Sequence, residues 1–222
     1  MNYQLLCKPT YSALEVQLQP GEKIVAEAGA MSWMSPTIKT ETSARGGVMA
    51  GLSRAFLTGE SFFQNIYSAE GGPGEVGLVP GAPGDIVAVD IDDELYLEKG
   101  AYLASEEGVK CNAKWDGLRG LFNEGMFVLK VDGRGKLFFN CYGAAEEIDV
   151  NGEYIVDNGY AVAWEPSLEY KIVRGGKKIR SFLFSDQLVL RFRGHGKLWV
   201  QSRSPRALAA WAYPFRPVKS KN

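Results

Sequence analysis

The chain has 222 residues, 45% of them apolar, and 25 Lys and Arg against 26 Asp and Glu, for a formal charge of −1. That supplies a core for one or two domains, with no run approaching the ~18 apolar residues that span a bilayer; the N-terminal segment reads as neither a secretion signal nor a transit peptide, so a cytoplasmic protein is expected. A single histidine, His195, and three scattered cysteines, Cys7, Cys111 and Cys141, with no CxxC pair, argue against a zinc ribbon, a redox motif or a catalytic zinc site and leave reduced, structural thiols.

In chain order, the first strand expected is ALEVQL (13–18), followed by a turn and GEKIVAEAGAMSWM from Gly21. A connector rich in glycine, basic and large apolar residues follows, ARGGVMAGLSRAFLTGES (44–61), then the β-prone SFFQNIYSA and a loop holding Gly72 and Gly74. Val76 and Leu78 next alternate with the charged Glu75 at the start of another strand, the period of two that buries one face of a sheet. The whole series then begins again. DIVAVDI leads to DDELYLEKGAYLAS, the connector KWDGLRGLFNEG, the alternating Phe127, Leu129 and Val131, the pair Gly133 and Gly135, and a strand on Leu137 and Phe139. A third series runs EEIDV, GEYIVDNGYAVAWE, VRGGKKIRSFLFSDQ, then Leu188, Leu190 and Phe192, Gly194 and Gly196, and a strand on Leu198 and Val200.

The first glycines of the three GxG phrases stand at 72, 133 and 194, a step of 61 residues each time. Each GxG lies between two expected strands, so its glycines are read as hairpin turns needing positive φ. The spacing predicts an all-β chain of three β-sandwich-like modules in a pseudo-threefold arrangement, with short helical connectors. We expect one compact unit with repeats at about 12–83, 84–145 and 146–204, because a unit of ~60 residues is marginal alone and repetition buries its exposed faces. The tail, 205–222, falls outside the repeat, and PRALAAWA with Pro205 near its start predicts a short helix.

Seven phrases together, LEVQLQPGEKIVAEAGAMSWMS, LTGESFF, PGDIVAVDI, GAYLAS, VDGRGKLFF, YIVDNG and GHGKLWVQSR, resemble the altered-inheritance-of-mitochondria family from about Leu14 to Arg203. The resemblance implies a fold similar to that of the Trp RNA-binding attenuation protein, a small β-sandwich that assembles into rings. Mitochondrial members are implicated in organising inner-membrane protein complexes. No catalytic residues are established for the family, so it implies none here.

The residues agree that catalysis is not the expectation. A strand rather than a helix follows each GxG, and neither a dinucleotide fingerprint nor a P-loop is complete. The acids Asp92, Asp93 and Glu94, and Glu146, Glu147 and Asp149, lack the ligand spacing of a calcium loop and read as solvated turns. Ser202 and Ser204 are outside any GxSxG, and His195 aligns with Pro73 and Arg134, the pattern of an exposed turn tip. No cofactor or metal is expected.

Charge is unevenly spread. Residues 1–83 carry net −2, 84–159 net −9 and 160–222 net +10. Lys177, Lys178, Arg180, Arg191, Arg193, Lys197 and Arg203 form most of the basic set, with Trp199 on the same strand face as Lys197. Three readings follow: opposite charges meeting between modules or subunits of a homo-oligomer, nucleic acid stacked on Trp199, or an anionic membrane surface. The first is favoured, which makes the chain a non-enzymatic assembly or scaffold protein; RNA and a membrane or protein partner remain alternatives.

Overall fold

The computed structural model describes residues 1–43, 64–113, 128–174 and 188–216. The expected helical connectors lie essentially outside these residues, as do Lys177, Lys178 and Arg180.

The first module comprises β1 (Asn2–Leu6), β2 (Ala13–Leu18), β3 (Lys23–Glu27), β4 (Met31–Met34), β5 (Ile38–Ser43), β6 (Gln64–Ala69) and β7 (Gly74–Leu78). In the second stand β8 (Gly84–Ile91), β9 (Glu94–Glu98), β10 (Tyr102–Ser105), β11 (Val109–Ala113), β12 (Val128–Gly133) and β13 (Gly135–Tyr142). The third holds β14 (Ala145–Asp157), β15 (Ala161–Trp164), β16 (Leu168–Arg174) and β17 (Leu188–Gln201), and the helix α1 (Pro205–Ala212) follows. The chain is therefore mostly strand, a triplicated β-sandwich-like arrangement closed by a short C-terminal helix. Ser204 caps that helix, its Oγ accepting from the Ala207 N–H at 3.4 Å with Pro205 in the first turn.

The third module shows the construction in its plainest form. β14 and β17 make one antiparallel ribbon, unbroken from Ala145 opposite Gln201 to Asp157 opposite Val189. β15 flanks the C-terminal half of β17 and β16 flanks its N-terminal half. The second module repeats this with the ribbon cut at its middle: β8 pairs with β13 and β9 with β12, while β10 flanks β13 and β11 flanks β12. The first does the same with β2 and β7, β3 and β6, flanked by β4 and β5. All three flanking strands slip register at one equivalent place, between Met31 and Trp33, Tyr102 and Ala104, and Ala161 and Ala163.

This pairing corrects the hairpin reading of Gly72, Gly74, Gly133, Gly135, Gly194 and Gly196. The strands on either side of each GxG do not pair with each other. β6 and β7 lie in different sheets, as do β12 and β13. The glycines form a corner at which one strand of the ribbon leaves one layer and enters the other. A hairpin would have closed a local pair; here the partners, β2 with β3 and β8 with β9, are 30 (Glu98 to Val128) to 64 (Leu14 to Leu78) residues back.

The modules join by adding strands. β10 pairs with β3 (Ala104 opposite Ala26, Ser105 opposite Val25), and β15 pairs with β9 (Ala163 opposite Leu97, Trp164 opposite Tyr96). Each shared sheet consequently walls two cores. Along β13, Leu137 and Phe139 face the second core while Phe138 enters the first, beside Leu14, Ile24 and Val76. Along β17, Leu198 faces the third core while Trp199 enters the second, edge-on to Phe139 at 5.8 Å between ring centroids. Fully burying an aromatic or large aliphatic side chain contributes roughly 1.5–3 kcal/mol, so each joint is a core contact and not a surface touch. Tyr102 adds a polar tie across the first joint, its hydroxyl donating to the Val25 carbonyl at 3.4 Å.

Candidate functional site

Among the described residues, the basic side chains named from the sequence, Arg191, Arg193, Lys197 and Arg203, do not make a free cationic face. Arg193 donates from Nε to Glu153 at 2.8 Å, and Arg191 lies 3.6 Å from the same carboxylate. The Arg193 hydrogen bond, helped by the Arg191 charge, holds Glu153 below the usual carboxylate range. Lys197 pairs with Glu147, whose hydrogen bond raises the ammonium's pKa. Both acids sit on β14: Glu153 lies directly opposite Arg193, and Glu147 lies one diagonal step from Lys197, which faces Asp149. Arg203 is exposed and donates to the Ser202 carbonyl at 3.0 Å. Trp199, expected as a stacking platform, is only 5% exposed because its ring fills the second core. That placement removes it as a surface for bases.

The charge contrast changes with it. β14 belongs with β17, so its acids count in the third module. Residues 146–204 carry nine basic and eight acidic side chains, net +1, and residues 84–145 seven and eleven, net −4. The remaining excess sits in residues 205–222, with four basic side chains and no acidic one.

Among the described residues no group of three His, Cys, Asp or Glu side chains could hold a metal ion, and none of the helices is long and apolar enough to cross a membrane. A shallow hollow over Gln17, Gln19, Ser35 and Glu75 has one carboxylate and one hydroxyl, the Ser35 Oγ accepting from the Glu75 backbone N–H at 3.0 Å, and no His, Cys, Lys or Arg in its lining. Cys111 and Cys141 are free and buried, and desolvation pushes both thiols up to about 12. Only the thiolate is reactive. In native protein at pH 8, one thiol per chain, the exposed Cys7, is therefore expected to react with a disulfide reagent, and all three after denaturation; two or more in the native protein would show the cores to be open.

The surface that does stand out is made of strand edges. β10 and β15 are buried along their whole length, because each lies between its own module and the preceding one. β4 occupies the same place in the first module, yet all four of its residues are exposed. Among the described residues nothing pairs with its outer side, nor with the outer side of the second half of β14. Trp33 (36%), Met34 (41%) and Ile155 (51%) are consequently open to solvent. Neither edge was visible in the sequence, since exposure here depends on which module comes last.

The sequence profile of the family described as mitochondrial biogenesis AIM24 matches residues 3–203. The chain belongs to that family. An uncharacterized protein of Streptococcus pyogenes serotype M6 is 27% identical over 221 residues, covering 95% of this chain and 89% of that one. The crystal structure of a Streptococcus pyogenes protein superposes with a TM-score of 0.80 at 26% identity, covering 97% of this chain and 99% of that one.

The AIM24 match ends where the tail begins. Beyond it, every described residue from Pro205 to Arg216 is exposed. Trp211 and Phe215 touch each other, 5.4 Å between ring centroids, and the Arg216 guanidinium lies 3.7 Å over the Tyr213 ring. The tail therefore presents aromatic rings and cations together.

Proposed function

We propose that this AIM24-family chain is a non-enzymatic assembly protein that associates with copies of itself through its β-modules. The observation that carries the reading is the mode of joining inside the chain. Three modules already meet at two joints by strand addition, the second and the third each sending an aromatic ring into the core before it, and the strands left over at the two ends are of the same kinds. Unpaired apolar edges are what natural sheets otherwise blunt. Native mass spectrometry of gently purified protein tests it. Integer multiples of the 24.4 kDa chain are expected; a monomer at all concentrations and salt conditions would overturn it.

The alternative of nucleic acid on the third module loses Trp199, which is buried, and the β17 cations, which are paired across the ribbon; its other cations, Lys177, Lys178 and Arg180, lie outside the described residues. The alternative of an anionic membrane surface moves to the tail. Aromatic rings beside Arg206 and Arg216, with no acidic residue, are the composition of an interfacial contact. On this second reading the protein co-sediments with vesicles containing phosphatidylglycerol and not with pure phosphatidylcholine. The double change Trp211→Ala with Phe215→Ala should reduce that binding at least tenfold. Equal sedimentation with both vesicle types would reject it.

A further inference from the structure

The two joints inside the chain define a rule, and the rule specifies a third joint that the described residues leave unmade. A joint consists of the flanking strand of one module (β10, β15) paired with the first strand of the outer layer of the module before it (β3, β9). The flanking strand of the first module is β4. The corresponding outer strand of the third module is the second half of β14, because Ile155 and Val156 pair with Arg191 and Leu190 as Tyr96 and Leu97 pair with Lys130 and Leu129. The shared slip of register places Trp33 and Met34 at the positions of Ala104 and Ser105, and of Ala163 and Trp164.

We infer that β4 of one copy adds antiparallel to the outer edge of β14 in a second copy, with Trp33 opposite Val156 and Met34 opposite Ile155. This rests on the self-association reading above and names the surface that performs it. The side chains suit each other. At the made joint Trp164 and Tyr96 lie against one another, 6.1 Å between ring centroids; their counterparts at the free ends are Met34 and Ile155, both apolar and both exposed.

The cores agree. The first core receives Phe138 from the second module, and the second core receives Trp199 from the third. The buried members of the third core include no residue of a following module. In the first module the position of Phe138 and Trp199 is held by Gly77, and the bulk has moved across the strand pair to Trp33. A Cβ on Gly77 would stand 2.0 Å from the Trp33 ring, so the indole lies flat on that glycine. Trp33 is thus already placed as the aromatic side chain that a third core would take in.

A second copy is the occupant because the two edges are complementary to each other and lie at opposite ends of the same chain. β4 itself carries no lysine, proline or acid to blunt it, unlike the neighbouring edge strand β5, where Lys39 and Glu41 are exposed and 3.8 Å apart. The contact joins two different surfaces, so copies add head to tail.

Opposed residues of an antiparallel pair have Cα atoms about 4.5–5.5 Å apart, within the range a disulfide bridges. The test uses the full chain with Cys7→Ser, carrying either Met34→Cys or Ile155→Cys, both at exposed sites outside the cores. Mixed and oxidised, the two single variants are expected to give a disulfide-linked pair of chains, at least tenfold more than either variant alone. Multimers on native mass spectrometry without that cross-link would overturn this register and leave self-association standing. Monomers without it would overturn both. A chain carrying both cysteines that links only to itself would show that the edges close within one molecule, and would overturn the inference; its native mass then decides the assembly reading separately.

Discussion

Replacing Trp164 with alanine is expected to cost about 3–5 kcal/mol, the range for truncating a buried aromatic to alanine. The ring is fully buried and central to the third core. Tyr170 and Phe192 pack edge-on to it at 5.0 and 5.5 Å between centroids, and Tyr96 reaches it from the second module at 6.1 Å. The same substitution therefore empties one core and loosens the joint to the next. In a chain of this size 1 kcal/mol moves the melting temperature by about 2–4 °C, so a drop on the order of 10 °C is expected in thermal melts. Trp164→Phe separates packing from hydrogen bonding. The indole N–H has no partner among the described residues, so phenylalanine should restore most of the loss. If alanine costs under ~1 kcal/mol, the ring is not where the third core has been placed.

The repeat was legible because it is a local pattern copied three times. Of the residues picked out by alternation, Val76, Leu78, Leu137, Phe139 and Leu198 are buried and Val200 is half-buried. What alternation missed was the other face. Phe138 and Trp199 stand on the side read as wet, but modules stack so that one module's outer face lines its neighbour's core. The unbroken apolar run Leu137, Phe138 and Phe139 was the available signal, since a strand buried on both faces loses its alternation. The corner was missed for a different reason. A glycine pair between two strands looks the same whether the strands pair with each other or with partners far back in the chain, and only long-range register separates the two. The charge contrast was misjudged by a boundary. Cutting at residue 159 assigned Glu146, Glu147, Asp149, Glu153 and Asp157 to the second module, although β14 is half of the third module's ribbon and neutralises β17 across it. The free edges were beyond reach altogether, because MSWM and AVAW differ little as sequence and differ in exposure only through what lies beside them.

The corner glycines make the second large prediction, and they make it unequally. Gly133 has φ +120° and a Cβ there would stand 2.1 Å from the Gly108 carbonyl oxygen; Gly194 has φ +134° and would meet the Ser167 carbonyl oxygen at 2.3 Å. Both obstacles are backbone, in the turns leading into β11 and β16, and those turns are themselves fixed: the Arg134 N–H donates to the Gly108 carbonyl at 3.2 Å. Alanine at either site must adopt a backbone that side chains avoid, at about 1–3 kcal/mol, and must also push the turn aside, with about 1–3 kcal/mol more for overpacking. Gly72 is the copy of these residues in the first module, where the loop is longer, the backbone is close to extended at φ +159° and the nearest atom to a built Cβ is the Thr37 methyl at 3.7 Å. Three alanine variants of one repeated phrase should then separate in urea: Gly133→Ala and Gly194→Ala losing about 2–6 kcal/mol on those two contributions, and Gly72→Ala losing under ~1 kcal/mol. Equal losses at all three would mean that the phrase is kept for a turn that every module shares. Unequal losses in this order mean that the second and third ribbons bend against a fixed neighbouring turn, whereas the first bends free of it, in the module whose flanking strand is also left exposed.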